Sequence, residues 1–217
     1  MNLQRLDNPQ QLSLAPRLEP SQVDSLATVL SRTFQNEPEL VYMLPDEQAR
    51  RMVSPSLFLS AIRAGQRYGE IHTTENADGV AVWIRPEHDL AFRRMVRTGL
   101  MDFRFNLGWE YTSRYMKLGV NIEEVRKRLA PSAHWYLMVL GVEISTPAKV
   151  IGDALMAPVL SRADSTGMPC YLETFSEKRL GLYKDFGFRI AGAGRIPDGG
   201  PNFWAMTRAA VKSALQT

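Results

Sequence analysis

The sequence predicts an α/β fold, with a mixed, mostly antiparallel sheet flanked by helices. Three observations carry that prediction. Segments of strand and helix character alternate along the 217 residues. Residues 134–142 and 168–174 are almost continuously apolar, as in strands covered on both faces. The intervening segments place apolar residues three and four apart, the spacing of helices with one buried face.

In chain order, residues 11–18 suit a first strand. Ser21 offers a helix N-cap, with Asp24 three residues on, and Val23, Leu26, Ala27, Leu30 and Phe34 follow at helical spacing. A second helix is expected over 46–64 despite Pro55. Residues 69–74 and 79–84 read as a hairpin around Glu75-Asn76-Ala77-Asp78-Gly79. Residues 88–130, rich in Arg, Met, Phe and Tyr, read as a helical insertion before the central strand at 134–142. A helix over 148–165 carries Ile151, Leu155, Val159 and Ala163 on one face, with Pro158 expected to bend it. A strand at 168–174, a short helix over 176–186 stopped by Gly187, and strands at 188–193 and 202–207 complete the order. The whole of 1–217 is expected to form a single domain.

Composition narrows the function. The chain is 45% hydrophobic and 23% charged, enough to build a core without disulfides or metals. The net charge of +3 is mild and the basic residues are spread, so nucleic acid is not the expected partner. The run Arg126-Lys127-Arg128 reads as a solvated helix face. The single cysteine, Cys170, excludes an internal disulfide, favours a reducing compartment and sits in an apolar run as a structural thiol. No apolar run has the length of a membrane span, and the first residues lack a signal-peptide stretch. A cytoplasmic chain with no membrane partner is expected; a homodimer stays open. The three histidines lack metal-site spacing, and no Gly-x-Ser-x-Gly elbow is present.

Several segments, in order, resemble the Gcn5-related N-acetyltransferase (GNAT) superfamily. Residues 137–142 look like its central strand, and Tyr171-Leu172-Glu173-Thr174 like the next one. Leu182-Tyr183-Lys184-Asp185-Phe186-Gly187-Phe188 resembles the family's tyrosine-bearing helix and its exit. Thr33-Phe34-Gln35-Asn36-Glu37-Pro38 resembles the end of the first helix. Residues 79–86 resemble the hairpin strand of the puromycin N-acetyltransferase branch.

The resemblance implies acetyl-CoA as acyl donor. Its pantetheine arm would lie between two separating strands, against Leu140 and Val142 among others. Its diphosphate would meet backbone N–H groups at the next helix N-terminus, where the helix dipole favours an anion. The positions implied are Lys149, Val150, Ile151, Gly152 and Asp153, with Arg179 standing where many relatives have an Asn on the pantetheine. The donor loop departs from the family's Gln/Arg-x-x-Gly-x-Gly/Ala. Here it reads Pro147-Ala148-Lys149-Val150-Ile151-Gly152, and only Gly152 survives. Pro147 removes an N–H donor, and Val150 replaces a glycine that lets backbone approach phosphates.

The resemblance places the Tyr183 hydroxyl near the thioester sulfur, as the acid for the departing thiolate. A phenol suits that task because it keeps its proton at neutral pH. Glu173 is the candidate base for the amine's proton, with Glu143 as an alternative. The acceptor candidates are Phe34 and Glu37, His134, and Trp109 with Tyr111 in the insertion, where the rings would wall a site and Glu110 would attract an ammonium. The implied function is transfer of an acetyl group from acetyl-CoA to the amine of a small molecule. Two readings stand beside it. One is a non-catalytic ligand-binding module that keeps the fold with a degenerate CoA loop. The other is a protein N-acetyltransferase.

Overall fold

The computed structural model describes residues 12, 13, 18, 20–88, 101–143 and 148–211. Its strands are β1 (Leu12–Ser13), β2 (Gly69–Thr74), β3 (Gly79–Ile84), β4 (Trp135–Val142), β5 (Cys170–Thr174), β6 (Arg189–Arg195) and β7 (Asn202–Arg208). Its helices are α1 (Pro20–Phe34), α2 (Pro38–Met43), α3 (Glu47–Tyr68), α4 (Met101–Leu129), α5 (Ala148–Thr166) and α6 (Leu180–Asp185). A 3₁₀ turn, Glu177–Arg179, precedes α6. The sheet has seven strands in the order β1-β2-β3-β4-β5-β7-β6. Only β4 and β5 pair in parallel, so the sheet is mixed and mostly antiparallel as expected.

The hairpin begins and ends at the expected residues. Ala77, at φ 55, makes the turn, and its N–H donates to the Thr74 carbonyl at 2.9 Å. Two helices differ from expectation at one end each. The first helix begins at Pro20, ahead of Ser21; a proline loses nothing at a first position, whose N–H has no intrahelical partner. The next long helix starts where expected, with the Asp46 carboxylate accepting from Ala49 N at 2.7 Å, but runs on to Tyr68. Between them the short α2 was not foreseen. It opens with Pro38 at a position proline favours.

Strand β3 shows how the centre of the sheet is buried on both faces. Ala81 and Trp83 join one core with Leu155, Met156 and Val159 of α5 and with Tyr183. Val80 and Val82 join the other, with Leu26 and Leu30 of α1 and Ile62 of α3. Gly141 on β4 admits α1 closely; a Cβ there would lie 2.4 Å from Leu30 Cδ2. A third cluster packs Leu40 and Met43 of α2 against Tyr111, Tyr115 and Leu118 of α4. Helix α4 is the expected insertion, kinked at Gly108 (φ 73). Gly187, at φ 85, ends the α6 segment. Cys170 is buried, and burial pushes its thiol up to about 12, as suits a structural role. Among the described residues no helix is long and apolar enough to cross a membrane, and no cluster could hold a metal ion.

Candidate active site

The parallel pairing of β4 with β5 stops early. Trp135, Tyr136 and Leu137 pair with Cys170, Tyr171 and Leu172, and there the ladder ends. Beyond it β4 continues to Val142 and β5 to Thr174. A cavity of about 220 Å³ opens at this divergence. Leu137, Leu140, Glu173 and Thr174 line its sheet side; Phe58 of α3 and Leu118 and Ile122 of α4 form much of its apolar cover.

Both residues expected to carry chemistry lie on this cavity. Tyr183 is 5% exposed and packs edge-on against Phe188, with ring centroids 6.4 Å apart. Burial raises its phenol, and the nearby Arg179 guanidinium acts in the opposite direction. Glu173 projects from β5, and its Oε1 has no hydrogen-bond partner. Burial pushes this carboxyl up to about 7, against the opposing pull of Arg126 and the hydroxyls of Tyr136 and Tyr171. A carboxyl near 7 is half ionised at neutral pH, the condition in which it can take and release a proton.

Arg179 spans the divergence. Its Nη2 lies 2.9 Å from Glu37 Oε1, and its Nη1 donates to the Leu140 carbonyl at 3.1 Å. Its guanidinium also sits 4.6 Å from the centre of the Phe34 ring. Two residues further along β4, the Thr33 hydroxyl donates to the Val142 carbonyl at 3.1 Å. Carbonyls two apart on a strand point the same way, so side chains already occupy both acceptors of this edge. Phe34 and Glu37, two of the acceptor candidates, line the cavity. Glu37 also borders an outer trough that includes Arg32, Tyr42, Phe175, Arg195 and Trp204.

The other expected positions divide. Lys149, Val150 and Asp153 are exposed at the start of α5, with Lys149 Nζ 2.9 Å from Asp153 Oδ2. Ile151 is 4% exposed and belongs to the core, which leaves only its backbone for a ligand. Gly152 is buried, yet a Cβ there would meet only Phe186 Cζ at 4.0 Å, so close packing does not demand a glycine. Pro147 lies outside the described residues.

Three acceptor candidates are not among the residues that line the cavity. Trp109, next to the Gly108 kink in α4, is 80% exposed. Tyr111 packs against α2 and does not line the cavity. His134 precedes the paired end of β4, where its ring meets Tyr171 edge-on at 5.5 Å, away from the divergence. The alternative base Glu143 forms an ion pair with Arg32 and is not among the cavity residues.

Four cavity residues were not foreseen. Glu39 on α2 is held near 7, chiefly by burial and further by Glu37, and its Oε2 has no hydrogen-bond partner. Tyr136 lies on β4. Tyr115 and Arg126 lie on α4, and Arg126 is 7% exposed. The α4 face was readable in principle: Tyr115, Leu118, Ile122 and Arg126 recur three and four apart.

No protein-family model matches the chain. A Schizosaccharomyces pombe protein described as an uncharacterised N-acetyltransferase is 24% identical, over 80% of this chain and 73% of its own length. A Corynebacterium glutamicum structure described as histone acetyltransferase HPA2 and related acetyltransferase superposes with a TM-score of 0.62 at 21% identity, over 94% of this chain and 98% of that one. A mosquito protein described as arylalkylamine N-acetyltransferase like 5b superposes with a TM-score of 0.60 at 12% identity, over 92% of this chain and 99% of that one.

Proposed function

We propose that this chain, whose fold matches that of solved acetyltransferases, is an acyltransferase of the GNAT superfamily that moves an acetyl group from acetyl-CoA to the amine of a compact small molecule. One observation carries the proposal. The cavity that opens where β4 and β5 part collects a buried phenol, Tyr183, and a buried carboxyl held near 7, Glu173. A route that avoids charge build-up at the reacting centre needs one acid and one base beside it.

The residues present fit a CoA thioester in part. The unpaired stretch of β4 next to the cavity suits an extended pantetheine arm, which β-strands bind through backbone groups. The vacant space beside Gly152 and the N-terminus of α5 suit its diphosphate. Leu140 and Val142 would face the arm. Arg179 and Thr33 hold the two carbonyls there and would have to yield them. Lys149 would exchange Asp153 for a phosphate.

The proposed chemistry is direct transfer. The neutral amine nitrogen forms a bond to the thioester carbon, and Glu173 accepts the proton that the nitrogen loses. The carbon–sulfur bond breaks, and Tyr183 Oη donates its proton to the departing thiolate. Solvent then resets Tyr183 and Glu173. The enclosed cavity, with Leu40, Met43, Leu57, Phe58, Leu118 and Ile122 on its walls, favours an acceptor with a small apolar body. Structural neighbours described as agmatine and arylalkylamine N-acetyltransferases are named for small amines. A reducing, cytoplasmic setting belongs to this reading, as does a place in the puromycin N-acetyltransferase-like branch, which rests on residues 79–86.

A thermal-shift scan with acetyl-CoA, CoA and longer acyl-CoAs tests donor binding, because a ligand of the native state raises its stability. An acetyl-CoA-dependent rise, followed by acetylation of an amine panel, is expected. The absence of any shift at saturating acetyl-CoA would favour the second reading, a ligand-binding module whose donor edge Arg179 and Thr33 have closed.

A further inference from the structure

Helix α4 delivers one cation to the buried side of the cavity. Arg126 lies eleven residues after Tyr115 on the same helical face, with Leu118, Gly119, Ile122 and Glu123 between them on the cavity wall. Its neighbours Lys127 and Arg128 are exposed, whereas Arg126 is 7% exposed. Its guanidinium carbon stands 4.7 Å from the centre of the Tyr136 ring, a cation–π contact that fixes the head group. Tyr136 pairs with Tyr171 across the β4–β5 ladder, and Glu173 lies two residues on from Tyr171, just past the end of the pairing. Arg126, Tyr136, Tyr171 and Glu173 therefore form one polar corner in an otherwise apolar chamber.

We infer that Arg126 is a positioning residue for the proposed transfer: seated on the Tyr136 ring, it favours the ionised form of Glu173, the form that accepts the amine's proton. The inference rests on the acetyl-transfer reading. A carboxyl walled by apolar side chains keeps its proton, and a base that is already protonated cannot take another. Arg126 is the largest of the influences that favour the Glu173 carboxylate, ahead of the Tyr136 and Tyr171 hydroxyls. The remaining ionisable groups on the cavity are Glu37 and Glu39 from the α1–α2 region, Tyr115 and Glu123 from α4, and Arg179 and Tyr183 from the segment after β5. Helix α3 contributes Leu57, Phe58 and Ala61, none of which ionises. Among the described residues Arg126 and Arg179 are thus the two cations of the lining, and Arg179 is engaged with Glu37.

The test compares Arg126→Met, Arg126→Gln and Arg126→Lys with the unaltered chain. The first readout is the pH profile of kcat/KM for acetyl transfer. Removing the charge is expected to move the acid-side midpoint up by about one pH unit or more, with activity returning toward the unaltered value near pH 9. Lysine is expected to keep the midpoint within about half a unit. A uniform loss at every pH, with the midpoint unmoved, would assign Arg126 a merely structural role and overturn the inference.

The second readout needs no turnover. The Glu173 carboxyl is titrated directly by ¹³C NMR, its signal assigned through Glu173→Gln. A midpoint that stays put in both Arg126→Met and Arg126→Gln also overturns the inference. A midpoint that rises in a chain without transferase activity would sink the acetyl-transfer reading and leave the Arg126–Glu173 coupling standing. If Arg126→Met fails to fold, the glutamine and lysine variants carry the same comparison.

Discussion

Arg179 bonds at once to the Glu37 carboxylate, at 2.9 Å, and to the Leu140 carbonyl, at 3.1 Å. One guanidinium thereby ties the segment after β5 to the α1–α2 junction and to the open edge of β4. A planar fork with several donors can do this where a lysine cannot.

Truncating this tie should destabilise the fold. Arg179→Ala leaves Glu37 and the Leu140 carbonyl without their partner, at a cost of about 2 kcal/mol for a partly buried site. In a chain of this size that corresponds to a drop in Tm of roughly 4–8 °C. Glu37→Gln added to Arg179→Ala should recover part of the loss, since the stranded charge disappears. Denaturant unfolding of the single and double variants measures both effects. Equal melting of Arg179→Ala and the unaltered chain would contradict the tie.

Tyr183→Phe separates chemistry from packing. The ring keeps its contact with Phe188, so stability should change by less than about 1 kcal/mol. Acetyl transfer should fall about a hundredfold or more, the usual worth of a positioned acid. Undiminished kcat with an amine acceptor would take Tyr183 out of the mechanism.

Glu173 ties stability to pH in a defined direction. Its folded pKa of about 7 stands above the unfolded value of about 4.3. The folded state therefore binds its proton more tightly, and the associated stability is full at acid pH and is lost as pH rises toward 7. Glu173→Gln removes the dependence, so the variant should gain on the unaltered chain by on the order of 1–3 kcal/mol between pH 5 and pH 8. Activity should run the other way and rise through pH 7 as Glu173 loses its proton. Paired pH series of unfolding and turnover test both slopes.

Gly152 discriminates donor binding from packing. A methyl group there meets nothing closer than Phe186 Cζ at 4.0 Å, and alanine is the better helix former by up to about 1 kcal/mol. Gly152→Ala should hold or raise Tm while shrinking the stabilisation that acetyl-CoA confers. An unchanged acetyl-CoA shift would remove Gly152 from the donor site.

Much of this fold is legible locally. The hairpin around Ala77, the buried strands β4 and β5 and the helices on either side announce themselves because periodicity and turn residues act over a few positions. The proposed role of Tyr183 is legible only through the resemblance of 182–188. Arg126 was not legible: within Arg126-Lys127-Arg128 it looks like any solvated charge, and only the packing of α4 over the sheet buries it. Glu39 was hidden in the same way, since an acidic residue in the first turn of a helix is ordinary.

The sequence by itself determined the order of the elements other than the short α2, the two-sided burial of the central strands and the family it resembles, because these follow from side-chain type at short spacing. Only the tertiary structure decided which charges meet. Arg179 reaches Glu37 across 142 positions of chain and Leu140 across 39, and Trp109 turns to solvent while Arg126 turns inward. The physical reason is that the cost of burying a charge depends on what surrounds it, and those surroundings exist only after distant segments have packed.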